Sequence, residues 1–154
     1  MKQKYIDAHM KVAETYASLS TAVRLKVGAI VVKDDRIISI GYNGMPSGWD
    51  NNCEDEIGDV RDVNDNVVEI RLKSKPEVLH AERNAIDKLA RLGGVGSAGA
   101  AMFTTHAPCL ECSKSIYGAG ITEVFYGEDY RSEDGIFFLK KCGVNIVKIS
   151  KRWC

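Results

Sequence analysis

The chain has no surplus of either charge: lysine plus arginine and aspartate plus glutamate each number 21 in 154 residues. Without a basic excess there is no general electrostatic drive onto a polyphosphate backbone, which disfavours a nucleic-acid substrate. Long apolar runs are also missing. Residues 1–20 interleave Lys2, Lys4, Asp7, Lys11 and Glu14 with their apolar positions, which excludes a signal peptide or membrane span there and leads us to expect a cytoplasmic protein. Histidine is scarce, at three residues, and cysteine occurs five times. An odd count, with two of the thiols in a C-x-x-C pair, does not suit a secreted disulfide framework, so metal or redox chemistry is the better use of them.

At 45% hydrophobic and 27% charged, residues 1–154 have the composition of one globular domain. Ile6, Met10, Ala13 and Ala17 recur at spacings of three and four, the stripe of a packing helix, and on that helix His9 is expected to face solvent. Two β-rich runs, Val27–Val32 and Ile37–Tyr42, flank a short polar stretch and predict an antiparallel hairpin. Residues 43–78 are expected to be mostly loop, with only Val67–Leu72 strand-like and an acidic insertion near 49–66 that could be a plain solvated loop, a lid or an effector-binding element. From there strand and helix alternate: a helix over His80–Leu92 ended by Gly93, a strand at Met102–Thr105, and a helix over Cys109–Tyr117. A strand at Ile121–Tyr126, a helix near Ser132–Lys141 and a strand at Val144–Ile149 complete the pattern. It predicts a layered α/β domain with an antiparallel opening hairpin and a largely parallel remainder. The glycine-rich stretch 93–99 lacks a Gly-Lys-Ser/Thr ending and precedes a strand, so it reads as a connector and not a phosphate loop.

His80-Ala81-Glu82 and Pro108-Cys109-Leu110-Glu111-Cys112 supply one imidazole, two thiols and a carboxylate that is not a ligand. Three protein ligands leave a fourth position open, as a catalytic zinc site requires. Both groups sit at predicted helix starts, where unpaired N–H groups and the helix dipole lower thiol pKa values, so Cys109 and Cys112 are expected to bind one zinc ion as thiolates. Two weaker readings compete: a redox C-x-x-C pair, and a closed structural zinc site with Cys53 or His106 as fourth ligand. The presence of Glu82 also speaks against a non-catalytic zinc-stabilised nucleotide-binding module.

His-x-Glu followed by Pro-Cys-x-x-Cys is the general signature of zinc nucleobase deaminases. Beyond it, Arg24-Leu25-Lys26-Val27-Gly28-Ala29, Gly41-Tyr42-Asn43-Gly44, His80-Ala81-Glu82-Arg83-Asn84-Ala85-Ile86 and Thr105-His106-Ala107-Pro108-Cys109-Leu110-Glu111-Cys112 occur in an order that resembles the deoxycytidylate deaminase family over roughly residues 5–150. Asn84 and the Gly-Tyr-Asn-Gly segment favour this family over deaminases of tRNA adenosine. The resemblance implies a cytidine-deaminase-like three-layer α/β/α sandwich with a mixed five-stranded sheet. It also implies zinc on His80, Cys109 and Cys112, Glu82 as proton shuttle and Asn43 near the sugar. The implied reaction converts dCMP to dUMP and feeds thymidylate synthesis, and the sequence leaves open whether the triphosphate is taken as well. Members are commonly hexameric homo-oligomers, activated by dCTP and inhibited by dTTP, each with Mg²⁺. Several carry a second, structural zinc, but here Ala22, Val78 and Leu79 fill ligand places, which leaves Cys53 a free thiol.

A nucleotide's phosphate needs a cationic or hydroxyl partner. Arg24 and Lys26 lie beside the first strand, Tyr130 and Arg131 just beyond a later one, where α/β folds place ligands. Lys26 is expected to be ordinary surface charge, and Arg24 and Arg131 are the candidates. His106, so close to the metal ligands in sequence, either lines the pocket or simply packs.

Overall fold

The computed structural model describes residues 1–150; the last four residues of the expected domain, Trp153 and Cys154 among them, lie outside that range. The first helix, α1 (Gln3–Ala17), buries Ile6, Met10, Ala13 and Ala17, the four positions of the apolar stripe. Strands β1 (Gly28–Lys33) and β2 (Arg36–Tyr42) follow as an antiparallel pair. Asp34 and Asp35 close the turn with positive φ values of 50° and 59°, the handedness that a two-residue hairpin turn demands to match strand twist.

A second hairpin, β3 (Glu54–Arg61) and β4 (Val67–Ser74), stands apart as a two-stranded sheet. Then come α2 (Ala81–Leu92), β5 (Ala101–His106), α3 (Leu110–Gly118), β6 (Glu123–Glu128), α4 (Asp134–Lys141) and β7 (Asn145–Lys148). The main sheet is five-stranded in the order β2-β1-β5-β6-β7. β1 runs antiparallel to both β2 and β5, while β5, β6 and β7 are parallel.

Alternation along the central strands divides the core between the two faces of this sheet. Ile30, Val32, Ala101, Phe103 and Phe125 pack with α1 on one side. Val31, Met102 and Val124 pack with Ala85 of α2, Ile116 of α3 and Leu139 of α4 on the other. The result is the expected three-layer α/β/α arrangement. Among the described residues, no helix is long and apolar enough to cross a membrane.

Two expectations need correction. The stretch 43–78 is not mostly loop: β3 exists and pairs with β4, so an insertion bounded at 49–66 cuts through the middle of a hairpin. Its sequence, Glu-Asp-Glu-Ile-Gly-Asp-Val-Arg, hides the strand because nearly all of this ribbon is exposed and neither face enforces an alternation of apolar residues. His9 is not fully exposed either. Its ring lies 5.0 Å from that of Phe103, and burial lowers its pKa.

Two motif glycines have a packing explanation. A Cβ on Gly28 would sit 2.0 Å from the Ala13 carbonyl oxygen, and one on Gly41 would sit 2.2 Å from the Ala81 carbonyl oxygen and 2.7 Å from the Ala85 nitrogen. These are the points where α1 and α2 touch the sheet backbone to backbone. Gly41→Ala is therefore expected to lower unfolding free energy by about 1–3 kcal/mol through overpacking, while Gly44→Ala, whose Cβ meets nothing within 4 Å, should change it by less than about 0.5 kcal/mol. Urea denaturation of both variants beside the parent measures the contrast.

Candidate active site and metal centre

His80 and Cys109 occupy the residues immediately preceding α2 and α3, in extended backbone conformation, and neither side chain caps its own helix. Each is released to point across the gap between the two N-termini. Cys112, in the first turn of α3, points the same way. The Sγ atoms of Cys109 and Cys112 lie 3.6 Å and 3.3 Å from His80 Nδ1, and all three ligand atoms fall within 4.8 Å of one another. Among the described residues this is the one such convergence of three histidine, cysteine or acidic groups.

An imidazole nitrogen and two sulfurs are the donor set of a three-ligand zinc site, so these residues fit the metal by chemistry as well as by convergence. It is Nδ1 of His80 that faces the sulfurs. Taken among protein groups alone, Cys109 is the thiol that ionises first. The Cys109 thiol is held down to about 4, chiefly by a hydrogen bond from Cys112 and with help from His80. Cys112, the donor in that bond and buried, is pushed up, and the bond to Cys109 raises His80.

Glu82 stands in the first turn of α2 at 4% exposure. It lies outside the three-atom cluster yet close enough to hydrogen-bond Cys112. Burial raises its pKa, against the opposing pull of its own backbone N–H and of His80. A buried carboxyl with a raised pKa beside a metal cradle is placed to exchange protons near neutral pH.

His80, Glu82 and Cys109 form part of the wall of a cavity of about 300 Å³, within the range of small-molecule pockets. Arg24, Asn43, His106, Tyr130 and Arg131 also line it, so residues spread over more than a hundred positions in sequence meet at one hollow. The exposed Lys26 does not. The Arg131 guanidinium donates to the Tyr130 hydroxyl at 2.9 Å. Thr105 Oγ1 accepts from the Gly28 N–H at 3.2 Å and lies 3.0 Å from His106 Nδ1, which fixes the imidazole against the wall.

Asn43 plays a more mechanical part than its motif suggested. Its Oδ1 accepts from the Val27 N–H at 2.8 Å and its Nδ2 donates to the Leu25 carbonyl at 2.7 Å. Both ends of the amide thus clamp the irregular strap before β1 while the residue lines the cavity. Asn84 donates to the Tyr42 carbonyl at 3.1 Å and ties α2 to β2.

Sequence reasoning missed Glu54, Ser74 and Lys75. Glu54 is buried, and its carboxylate accepts the backbone N–H groups of Val23 and Arg24 at 3.0 Å and 3.2 Å. The Arg24 side chain donates to Ser74 Oγ at 3.1 Å, and Ser74 and Lys75 join the cavity wall. No motif announces them: their role depends on where the root of the second hairpin lands. Cys53 is buried and reduced, 3.4 Å from the Thr21 hydroxyl.

Facing helix N-termini that carry a His/Cys/Cys cradle with a buried glutamate beside it match the residue signature shared by zinc nucleobase deaminases. Residues 3–128 match the cytidine and deoxycytidylate deaminase zinc-binding region, and the chain belongs to that family. It is 42% identical over 113 residues to ComE operon protein 2 of Bacillus subtilis, covering 73% of this chain and 53% of that protein. With the deoxycytidylate deaminase of Saccharomyces cerevisiae it shares 32% identity over 158 residues, 97% of this chain and 46% of that one. The chain therefore spans about half the length of these two relatives. The crystal structure of dCMP deaminase from the cyanophage S-TIM5 in complex with dCMP and dUMP superposes with a TM-score of 0.82 at 39% identity, covering 97% of this chain and 99% of that chain.

With one complete ligand set, the purified protein should hold about one zinc per chain after dialysis, and Cys112→Ala should reduce that at least about tenfold by deleting one of three ligands. Atomic absorption on both proteins checks it. Two tightly held ions per chain would place a second site elsewhere.

Proposed function

We propose that the chain catalyses hydrolytic deamination of a deoxycytidine nucleotide, dCMP to dUMP, with one zinc ion on His80, Cys109 and Cys112. The observation that carries this reading is the cavity in which the metal cradle and the buried Glu82 share walls with Arg24, Tyr130 and Arg131. Chemistry on a base and recognition of a phosphate are thereby available to one small molecule. The likeness to a deaminase crystallised with dCMP and dUMP points to the same substrate class.

Zinc, when bound, supplies a water acidified enough to attack C4 of the ring at neutral pH. Glu82 takes the proton that this water gives up. Its carboxyl delivers that proton to ring N3, which makes C4 more electrophilic. It then takes the second proton from the hydroxyl added to C4 and passes it to the exocyclic nitrogen, which departs as ammonia as the C4–N bond breaks and the C4 carbonyl forms. Burial of Glu82 suits this cycle, because a carboxyl of ordinary acidity would hold the proton too weakly to pass it on at the right moment. Asn43 holds the strap that forms one side of the cavity, and Arg24 and Arg131 supply charge-assisted hydrogen bonds to the 5′-phosphate. Regulation by dCTP and dTTP with Mg²⁺, and assembly into a homo-oligomer, belong to the same reading.

Two experiments test it. Glu82→Gln keeps the side-chain size and removes the base, so kcat for dCMP should fall at least about 10²-fold with zinc content unchanged; turnover near that of the parent would move the proton shuttle to another residue. Replacing Arg24 or Arg131 by Ala should cost roughly tenfold to a hundredfold in kcat/KM for dCMP and leave the slow reaction of deoxycytidine nearly unchanged. Equal proportional losses on nucleotide and nucleoside would show that neither arginine reads the phosphate.

A further inference from the structure

Among the described residues, the hairpin of β3 and β4 is an arm with no substantial packing partner but itself. Its tip is well built: Asp62 Oδ1 accepts the N–H groups of Asn64 and Asn66 at 2.8 Å and 2.9 Å, and Arg61 pairs with Asp59 at 2.9 Å. A preformed two-stranded ribbon nevertheless lacks the buried face that makes such a structure independently stable in water. Here it also displays apolar side chains, with Val68 61% and Ile70 50% exposed. Among the described residues β4 has a neighbour on one side alone, so its outer edge carries unpaired N–H and C=O groups along an apolar strand.

The two edges differ. β3 carries Asp55, Glu56 and Asp59 and is broken by a bulge at Ile57, so a second copy of β3 laid beside it meets like charge and an irregular backbone. β4 is regular from Glu69 to Ser74, with its own bulge at Val68 marking the outer limit of that run. The sequence there, Val68-Glu69-Ile70-Arg71-Leu72, is complementary to itself. Antiparallel pairing of the regular run with a second β4 about a two-fold axis at Ile70 sets Glu69 opposite Arg71 twice and Ile70 opposite its own copy. Shifting the axis to Glu69 or Arg71 instead places two carboxylates or two guanidiniums face to face, an arrangement that directly opposed strand positions disfavour.

We infer that the outer edge of β4 is a docking surface for a second copy of this chain, joined antiparallel through a two-fold axis at Ile70 to make a continuous four-stranded sheet. The contact is isologous, so the same patch serves both partners and closes on itself without forming a filament. It removes the exposed edge and covers the apolar residues next to it.

Charge reversal tests both the surface and its register. Glu69→Arg and Arg71→Glu each turn two attractive pairs into repulsive ones, so each should weaken the association at least about tenfold and halve the mass seen by sedimentation equilibrium at low micromolar concentration. The double variant restores opposite charge at every pair and should recover the parent's mass. Zinc content and melting temperature of the single variants report that the fold is intact. A second measurement uses oxidative cross-linking: Ile70→Cys should form a disulfide with its own copy, since directly opposed strand residues stand about 4.5–5.5 Å apart, whereas Lys73→Cys, opposite Val67, should not. A monomeric parent, single reversals that leave the mass unchanged, or an Ile70→Cys variant that cross-links no better than Lys73→Cys would each overturn the proposal.

Discussion

Two helix N-termini brought side by side hold this molecule's chemistry. α2 and α3 both begin at the end of the sheet where β1, β2 and β5 converge, and the residues preceding them aim an imidazole and a thiol across the gap. Unpaired N–H groups and aligned peptide dipoles make such a gap favourable to negative charge, which is what two thiolates and a nearby carboxylate bring to it. The Cys109 thiol is lowered chiefly by the Cys112 side chain and then by His80, with the Cys112 backbone N–H at the start of α3 adding to them. Much else in the fold can be understood as holding those ends in place. Gly41 lets α2 approach β2 to backbone distance, and Asn84 bonds the same pair of elements.

The other wall of the cavity is the strap before β1, which has no regular hydrogen bonding of its own. Asn43 satisfies it from within, at Leu25 and Val27, and the buried Glu54 satisfies it from without, at Val23 and Arg24. Orphan backbone groups near a pocket are costly, and two side chains meet them here. Because Glu54 and Ser74 are the root of the β3–β4 arm, the arm's placement and that of Arg24 are mechanically linked. An assembly contact on the arm would thus press on the side of the cavity assigned to phosphate.

Much of this was legible from the chain. The ligand set, the glutamate beside it and the alternation of strand and helix all depend on local spacing, and local spacing survives folding. The stripe of α1 and the β1–β2 turn were legible for the same reason. β3 was not, since a ribbon wet on both faces needs no alternation to declare itself. His9 was misread because a polar residue at the margin of an apolar stripe can still lay its ring on a core aromatic, here Phe103.

The sequence by itself determined which atoms could bind the metal, which carboxyl could move a proton, and that basic and acidic residues balance at 21 each. Only the tertiary structure decided that Nδ1 of His80 is the nitrogen facing the sulfurs, that Asn43 spends its amide on the strap, and that Arg24 and Arg131 share one hollow with Glu82. The division has a physical cause. Ligand type and helix start follow from covalent chemistry and short-range periodicity, whereas the direction a side chain points and the neighbour it meets depend on close packing of elements far apart in the chain.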